Sequence, residues 1–182
     1  MNSPALKEWG AAVRALLDGR QRVLLRKGGI HEKRFAVQAP QFVFFPTVAH
    51  SHRARVRAEY RGVVADAAAD STDEHLVIRG GAKVVAAVEV NRPENLDDII
   101  DLHIWTGDSV REDRLDFRPR HRLTVLVVAA RPLRTPLVLP RLPDYAGCRS
   151  WVDLPVTPEW GEPVCGTNDL RETVARVRDS VG

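Results

Sequence analysis

The sequence predicts an α+β fold, a small and partly closed β-barrel flanked by N-terminal, internal and C-terminal helices. Three observations point there. Apolar stripes at helical spacing stand at both ends of the chain and once in its middle, and several short β-rich runs lie between them. Stripes and runs do not alternate in the regular way that builds a parallel sheet. Prolines at 132, 136, 140 and 143 punctuate the later runs, as edge strands and tight corners require. The 182 residues are read as one domain, 1–182, with a barrel core at about 5–154 and a terminal helix at about 167–181.

Ser3 and Pro4 form a helix-start signal, because a hydroxyl caps free amides and proline fits the first turn. Leu6, Trp9, Val13, Leu16 and Leu17 then recur at helical spacing and Gly19 supplies a stop, giving a first helix over about Pro4–Asp18. Val23-Leu24-Leu25 reads as a strand ending at a Gly28-Gly29 bend, and Phe35–Val37 and Gln41–Phe45 as extended segments closed by Pro46-Thr47. His50–Tyr60 stays open between a helix, which aligns Arg53, Arg57 and Arg61, and a strand, which aligns Arg53, Arg55 and Arg57. Ala65–Asp73 reads as an exposed excursion. His75–Ile78 and Val84–Val90 read as a hairpin turning at Gly80-Gly81. Leu96, Ile99, Ile100 and Ile104 are helical in spacing, and Thr106 or Asp108 caps a short helix through Arg114. Leu123–Ala130 is the strongest strand, followed by Leu137–Leu139 and Ser150–Leu154. Thr167 caps a last helix striped by Leu170, Val174, Val177 and Val181.

No apolar run approaches the roughly 20 residues of a membrane span, and the N-terminus lacks a signal peptide's regions. A cytoplasmic protein with no membrane partner is expected. Cys148 and Cys165 form no CxxC pair and read as buried thiols. The net charge of +3 is uneven, at +8 over residues 1–62, −8 over 63–116 and +3 over 117–182. Because 23 of the 27 basic residues are Arg in an Ala- and Val-rich chain, coding bias explains part of their number. Only clustering bears on function, and the clusters are Arg20–Lys27, Lys33–Arg34, Arg53–Arg61 and Arg118–Arg122.

Arg26 and Lys27 before two glycines suit an anion, since Gly lets backbone amides approach a phosphate and Arg gives a two-pronged contact. His31 and His50, neutral at pH 7, are candidates to hydrogen-bond a phosphate or base edge. Arg53 and Arg57 add guanidinium groups, and Trp105, between His103 and Thr106, is the candidate to stack a base. Trp9 and Trp151 read as core. His50 and His52 with His31, Glu32 or Glu59 lack a second spaced pair, so neither a metal nor a cofactor is expected. Glu89 and the acids Asp97, Asp98 and Asp101 lack the strand lysine of a magnesium nuclease, and no phosphate-loop or serine-elbow motif is present.

Ala5-Leu6-Lys7-Glu8-Trp9, Leu24-Leu25-Arg26-Lys27-Gly28-Gly29-Ile30, Phe45-Pro46-Thr47 with His50, Leu102-His103-Ile104-Trp105-Thr106 and Gly147-Cys148-Arg149-Ser150-Trp151 together resemble a prokaryotic domain-of-unknown-function family, over about Ala5–Leu154. That family transfers no activity. The order of helix, Gly19, strand and Arg26 is also distantly similar to the PUA-like barrels of the ASCH and EVE groups, whose cleft typically binds RNA or a modified base. The ASCH pattern runs Gly-x-Lys-x-x-Glu-x-Arg; counted from Gly19 its Arg falls on Arg26, while its Lys and Glu positions hold Gln21 and Leu24. The resemblance therefore implies a fold and a cleft, and carries no catalytic mechanism.

The expected function is nucleic-acid binding, of RNA or an exposed base, through Arg26, Lys27, His31, His50, Arg53, Arg57 and Trp105. Two alternatives stand beside it. One is a hydrolase of nucleic acid or nucleosides, working through His50, His52 and a carboxylate or through Lys27 and Glu32. The other is an interaction module, in which the acidic middle of one copy meets the basic end of another in a homodimer.

Overall fold

The computed structural model describes residues 1–28 and 33–182. Ala5 and Leu6 are both fully buried and pair with Val43 and Phe44 on one side and with Val152 and Trp151 on the other. They lie in a strand, β1 (Ser3–Trp9), and the helix α1 begins only at Gly10 and ends at Leu17. The expected helix from Pro4 is thus a strand followed by a shorter helix. Its apparent stripe joined residues of two elements.

Five more strands complete one mixed sheet: β2 (Val23–Lys27), β3 (Gln41–Thr47), β4 (His75–Glu89), β5 (Leu123–Pro140) and β6 (Trp151–Leu154). Their order is β2-β5-β4-β3-β1-β6, with β1 parallel to β3 and the other pairs antiparallel. Register shifts in β4 between Ile78 and Gly80 and between Val84 and Ala86 bend its ladder with β5. Leu6, Leu24, Phe42, Phe44, Ala82, Leu126 and the partly buried Trp151 then meet in one cluster under α1. Side chains from all six strands share that cluster, so the sheet is curled as in a partly closed barrel.

Gly80-Gly81 is not a turn. Both residues pair with β5 inside a continuous strand, where a Cβ at Gly80 would lie 2.5 Å from the Arg131 carbonyl and one at Gly81 would collide with that of Phe42. The expected hairpin is therefore one long strand, and the glycines serve close backbone approach. Likewise Leu123–Ala130 and Leu137–Leu139 are one strand. Pro132, Pro136 and Pro140 fall beyond Val127, where β2 stops pairing and leaves that side of β5 free of a named strand. The segment after β6 returns along this free side, with Val164 N–H donating to Ala130, Gly161 N–H to Pro132 and Arg134 N–H to Glu159.

The remaining helices pack against α1 and against the outer face of the sheet. Short helices α2 (His52–Arg55) and α3 (Arg61–Ala68) fill the stretch after β3, so the 65–73 region begins as helix. A 3-10 helix, Pro93–Leu102, leads through Trp105 to α4 (Gly107–Val110) and a π-helical turn, Arg111–Asp116. Thr106 caps α4 by accepting from Ser109 N–H at 3.1 Å. The last helix, α5 (Thr167–Val181), follows Gly166 at its cap position and lays Leu170, Val177 and Val181 on Val88, Leu96 and Ile99. No helix among the described residues is long and apolar enough to cross a membrane.

Candidate functional site: a basic cleft behind an aromatic cluster

Strand alternation puts Glu8 of β1 on the same face as Leu6, and Arg26 of β2 on the same face as Leu24. Arg26 donates to Glu8 Oε2 at 3.1 Å and to the Lys7 carbonyl at 3.0 Å, and its guanidinium lies 5.1 Å from the Phe35 ring centre. The other carboxylate oxygen of Glu8 accepts from Trp9 N–H at 2.8 Å. With both oxygens held, Glu8 fixes the point where β1 becomes α1. Trp9 is thereby presented to the outer elements.

On that side Trp9 stacks on His52 of α2, ring centres 3.8 Å apart and planes within 9°, and meets the edge of Trp105 at 6.2 Å. The guanidinium of Arg114, from the π-helical turn, lies 5.9 Å from the centres of both indoles and donates to the Leu25 carbonyl at 3.2 Å. Arg55 donates to both oxygens of Asp113 at 2.6 and 2.7 Å. Burial first, then Arg55 and Arg114, hold His52 down to about 4, with Asp113 opposing. Burial, Arg26 and Arg55 likewise lower Arg114, while Glu8 and Asp113 push it back up. Arg26, Arg55 and Arg114 face Glu8 and Asp113, with Glu112 Oε2 a further 3.8 Å from Arg55 and His52 neutral.

Lys27, next along β2, donates to the carbonyls of Leu115, Phe117 and Arg118. Burial leads the lowering of its pKa, with Arg114 next. Lys27 so ties down a turn that reverses at Arg118, whose φ of 52° is left-handed. The turn opens a surface cleft of about 180 Å³ lined by Lys27, Arg114, Arg120, His121 and Arg122, with no acid among its walls in the described residues. Arg122 is shared with Glu89 and Asn91; Arg120 is exposed and has no side-chain partner among the described residues.

Of the expected residues, the structure brings Arg26, Lys27 and Trp105 together through Glu8, Trp9 and Arg114. Trp105 is only 2% exposed, so its indole is a wall behind the cleft and not an open stacking face. Arg57 is spent on the carbonyls of Ile100 and His103 at 2.8 and 2.9 Å. His50 and Arg53 are exposed on the segment around α2, while His52 is buried, so His50 and His52 do not share a face. His31 and Glu32 lie outside the described residues. Among the described residues no three His, Cys, Asp or Glu gather as a metal site. Cys148 is exposed rather than buried, and Cys165 is intermediate. Sequence reasoning missed Glu8, Arg114, Asp113 and the stacking role of His52; Lys27 and the Arg118–Arg122 cluster were the signals pointing at the cleft.

A likeness to crystal structures of ASCH from Zymomonas mobilis is found over nearly the whole chain. The first has 12% identity and a TM-score of 0.47, covering 94% of this chain and 93% of that one. Two mutant forms of the same protein, each at 14% identity, give TM-scores of 0.47 and 0.45 and cover 94% of this chain and 96% and 94% of theirs. No residue here takes a role from them. No curated protein matches the sequence. A family model described as "Domain of unknown function (DUF1802)" matches residues 5–176, and on that match the chain belongs to the DUF1802 family.

Proposed function

We propose that this protein binds nucleic acid, RNA or a strand with an exposed base, with its phosphates in the cleft beyond β2. The observation that carries the reading is the lining of that cleft, five basic side chains with no acid among the described residues, backed by the partly buried Arg26 and Arg114. Positive charge gathered in this way favours a polyanion over a neutral ligand. Arg120 and Arg122 at the lip supply direct phosphate contacts, and Lys27 and Arg114 supply charge from behind. Arg26, clasped by Glu8, holds the mouth in shape; exposed Arg53 and His50 extend the basic surface. Among the described residues nothing at the cleft sets a nucleophile beside a base.

The test is fluorescence anisotropy of a labelled single-stranded RNA ten-mer against salt. Affinity should fall linearly on a log–log plot, and Arg120→Ala should lower the slope by about one phosphate, 0.7 on a single strand. Affinity that stays flat from low to physiological salt overturns the reading.

A further inference from the structure

Beside the basic cleft lies a second cavity, of about 240 Å³, between the 3-10 helix and α4. The two share Pro93 and Leu115 as walls, so they adjoin. Their chemistry differs. Leu96, Ile100, Val110 and Leu115 make the second cavity's sides apolar, and His103, 1% exposed, also lines it. His103 Nδ1 is buried with no hydrogen-bond partner among the described residues, and Asp97 and Glu94 stand at the rim, also without side-chain partners there. Burial holds the imidazole down to about 3, followed by the Arg57 charge, so it is neutral and keeps one bare acceptor nitrogen at physiological pH.

We infer that this cavity receives a single base, one bearing an exocyclic amino group, from a strand whose phosphate lies in the adjoining basic cleft. The inference rests on the proposed function and adds the ligand's identity. At about 240 Å³ the space falls below the roughly 300–1,000 Å³ of drug-sized sites, which suits one heterocycle. Apolar walls match a base's faces. Of the charged groups lining the cavity, the Asp97 and Glu94 carboxylates only accept, while Arg111 donates and is held by Asp108 at 3.4 Å. The edge that those carboxylates recognise carries an amino group, as on guanine, adenine or cytosine. Uracil has no amino group, and its one donor, N3–H, sits between two carbonyl oxygens that the carboxylates would repel, which is what makes such a site selective. Gly107 forms part of the opening, where a Cβ would stand 3.1 Å from Asp97 Oδ1 and 3.9 Å from Ile100 Cδ1; any side chain there narrows the cavity.

The experiment uses the full chain and labelled oligouridine ten-mers carrying one central guanine, adenine, cytosine or uracil. At least one amino-bearing base should bind about 10-fold tighter than uracil, the discrimination of one good base-edge contact. Gly107→Leu, which blocks the cavity, and Asp97→Asn, on an exposed side chain, should each abolish that preference. Binding of the all-uracil strand and its salt slope should persist in both. Salt-dependent binding without base preference, or a preference that survives Gly107→Leu, overturns this inference and leaves nucleic-acid binding standing. Loss of salt-dependent binding to every strand overturns both.

Discussion

Arg26 on β2 and Glu8 on β1 stand 3.1 Å apart although β5, β4 and β3 all lie between their strands in the sheet. An open flat sheet would hold them several strand spacings, each about 4.8 Å, from one another. The pair is therefore the clasp across the curl. Glu8 is almost wholly buried and Arg26 mostly so. Glu8→Ala leaves a buried guanidinium without its counter-charge and should cost about 3 kcal/mol or more in urea denaturation, whereas Glu8→Leu with Arg26→Met should recover much of that loss. A Glu8→Ala protein as stable as the parent would show that the pair holds nothing.

Histidines 52 and 103 give the fold an acid dependence. Both are held well below their unfolded value of 6.5, to about 4 and about 3. Between those limits the unfolded chain binds the extra protons. The stability they contribute is complete above about pH 6.5 and falls as pH drops toward 4 and then 3, by about 1.4 kcal/mol per pH unit for each histidine. Urea midpoints measured from pH 7 to 5 should fall accordingly. His52→Phe, which keeps a ring on Trp9, should remove one proton from the slope, and an unchanged slope would refute the assignment.

Gly81 of β4 and Gly62 of α3 separate a structural requirement from a conformational one. Gly81→Ala drives a methyl into the Phe42 carbonyl and the Trp160 ring, and is expected to unfold the protein or leave it insoluble. Gly62→Ala, inside α3 with open space around it, should instead stabilise by about 0.5–1 kcal/mol. Thermal melts of the two variants make the comparison directly.

Lys27→Met tests the turn under the basic cleft. Without the amine, the carbonyls of Leu115, Phe117 and Arg118 lose their common donor. Limited trypsin digestion should then cut after Arg118 or Arg120 severalfold faster, with little change in global unfolding. Equal cutting rates would show that the turn holds itself.

The strands β2, β3 and β6, the internal helical stretch and the terminal helix were legible because each carries its own local period. β1 was not. It is central and buried on both faces at Ala5 and Leu6, so it shows no alternation, and its residues fall by coincidence on the helical spacing of α1. Gly80-Gly81 misled for a related reason, since a glycine needed for close approach looks in sequence like one needed for a turn. Of the site, the basic run at Arg26-Lys27 and the motif around Trp105 were visible. Their meeting depends on Glu8, Trp9 and Arg114, which lie on three different elements and share no spacing. The cavity at His103 is likewise formed only when the 3-10 helix and α4 pack.

The return of residues 159–164 along the far half of β5 also bears on aggregation. Without that stretch, β5 offers Ala130 and Leu133 on a strand edge with no covering partner, the kind of edge that templates aggregation. Prolines guard only part of it. Protection of this edge therefore falls to residues 159–164, and truncation before Pro158 should make the protein more prone to aggregate, as read by light scattering.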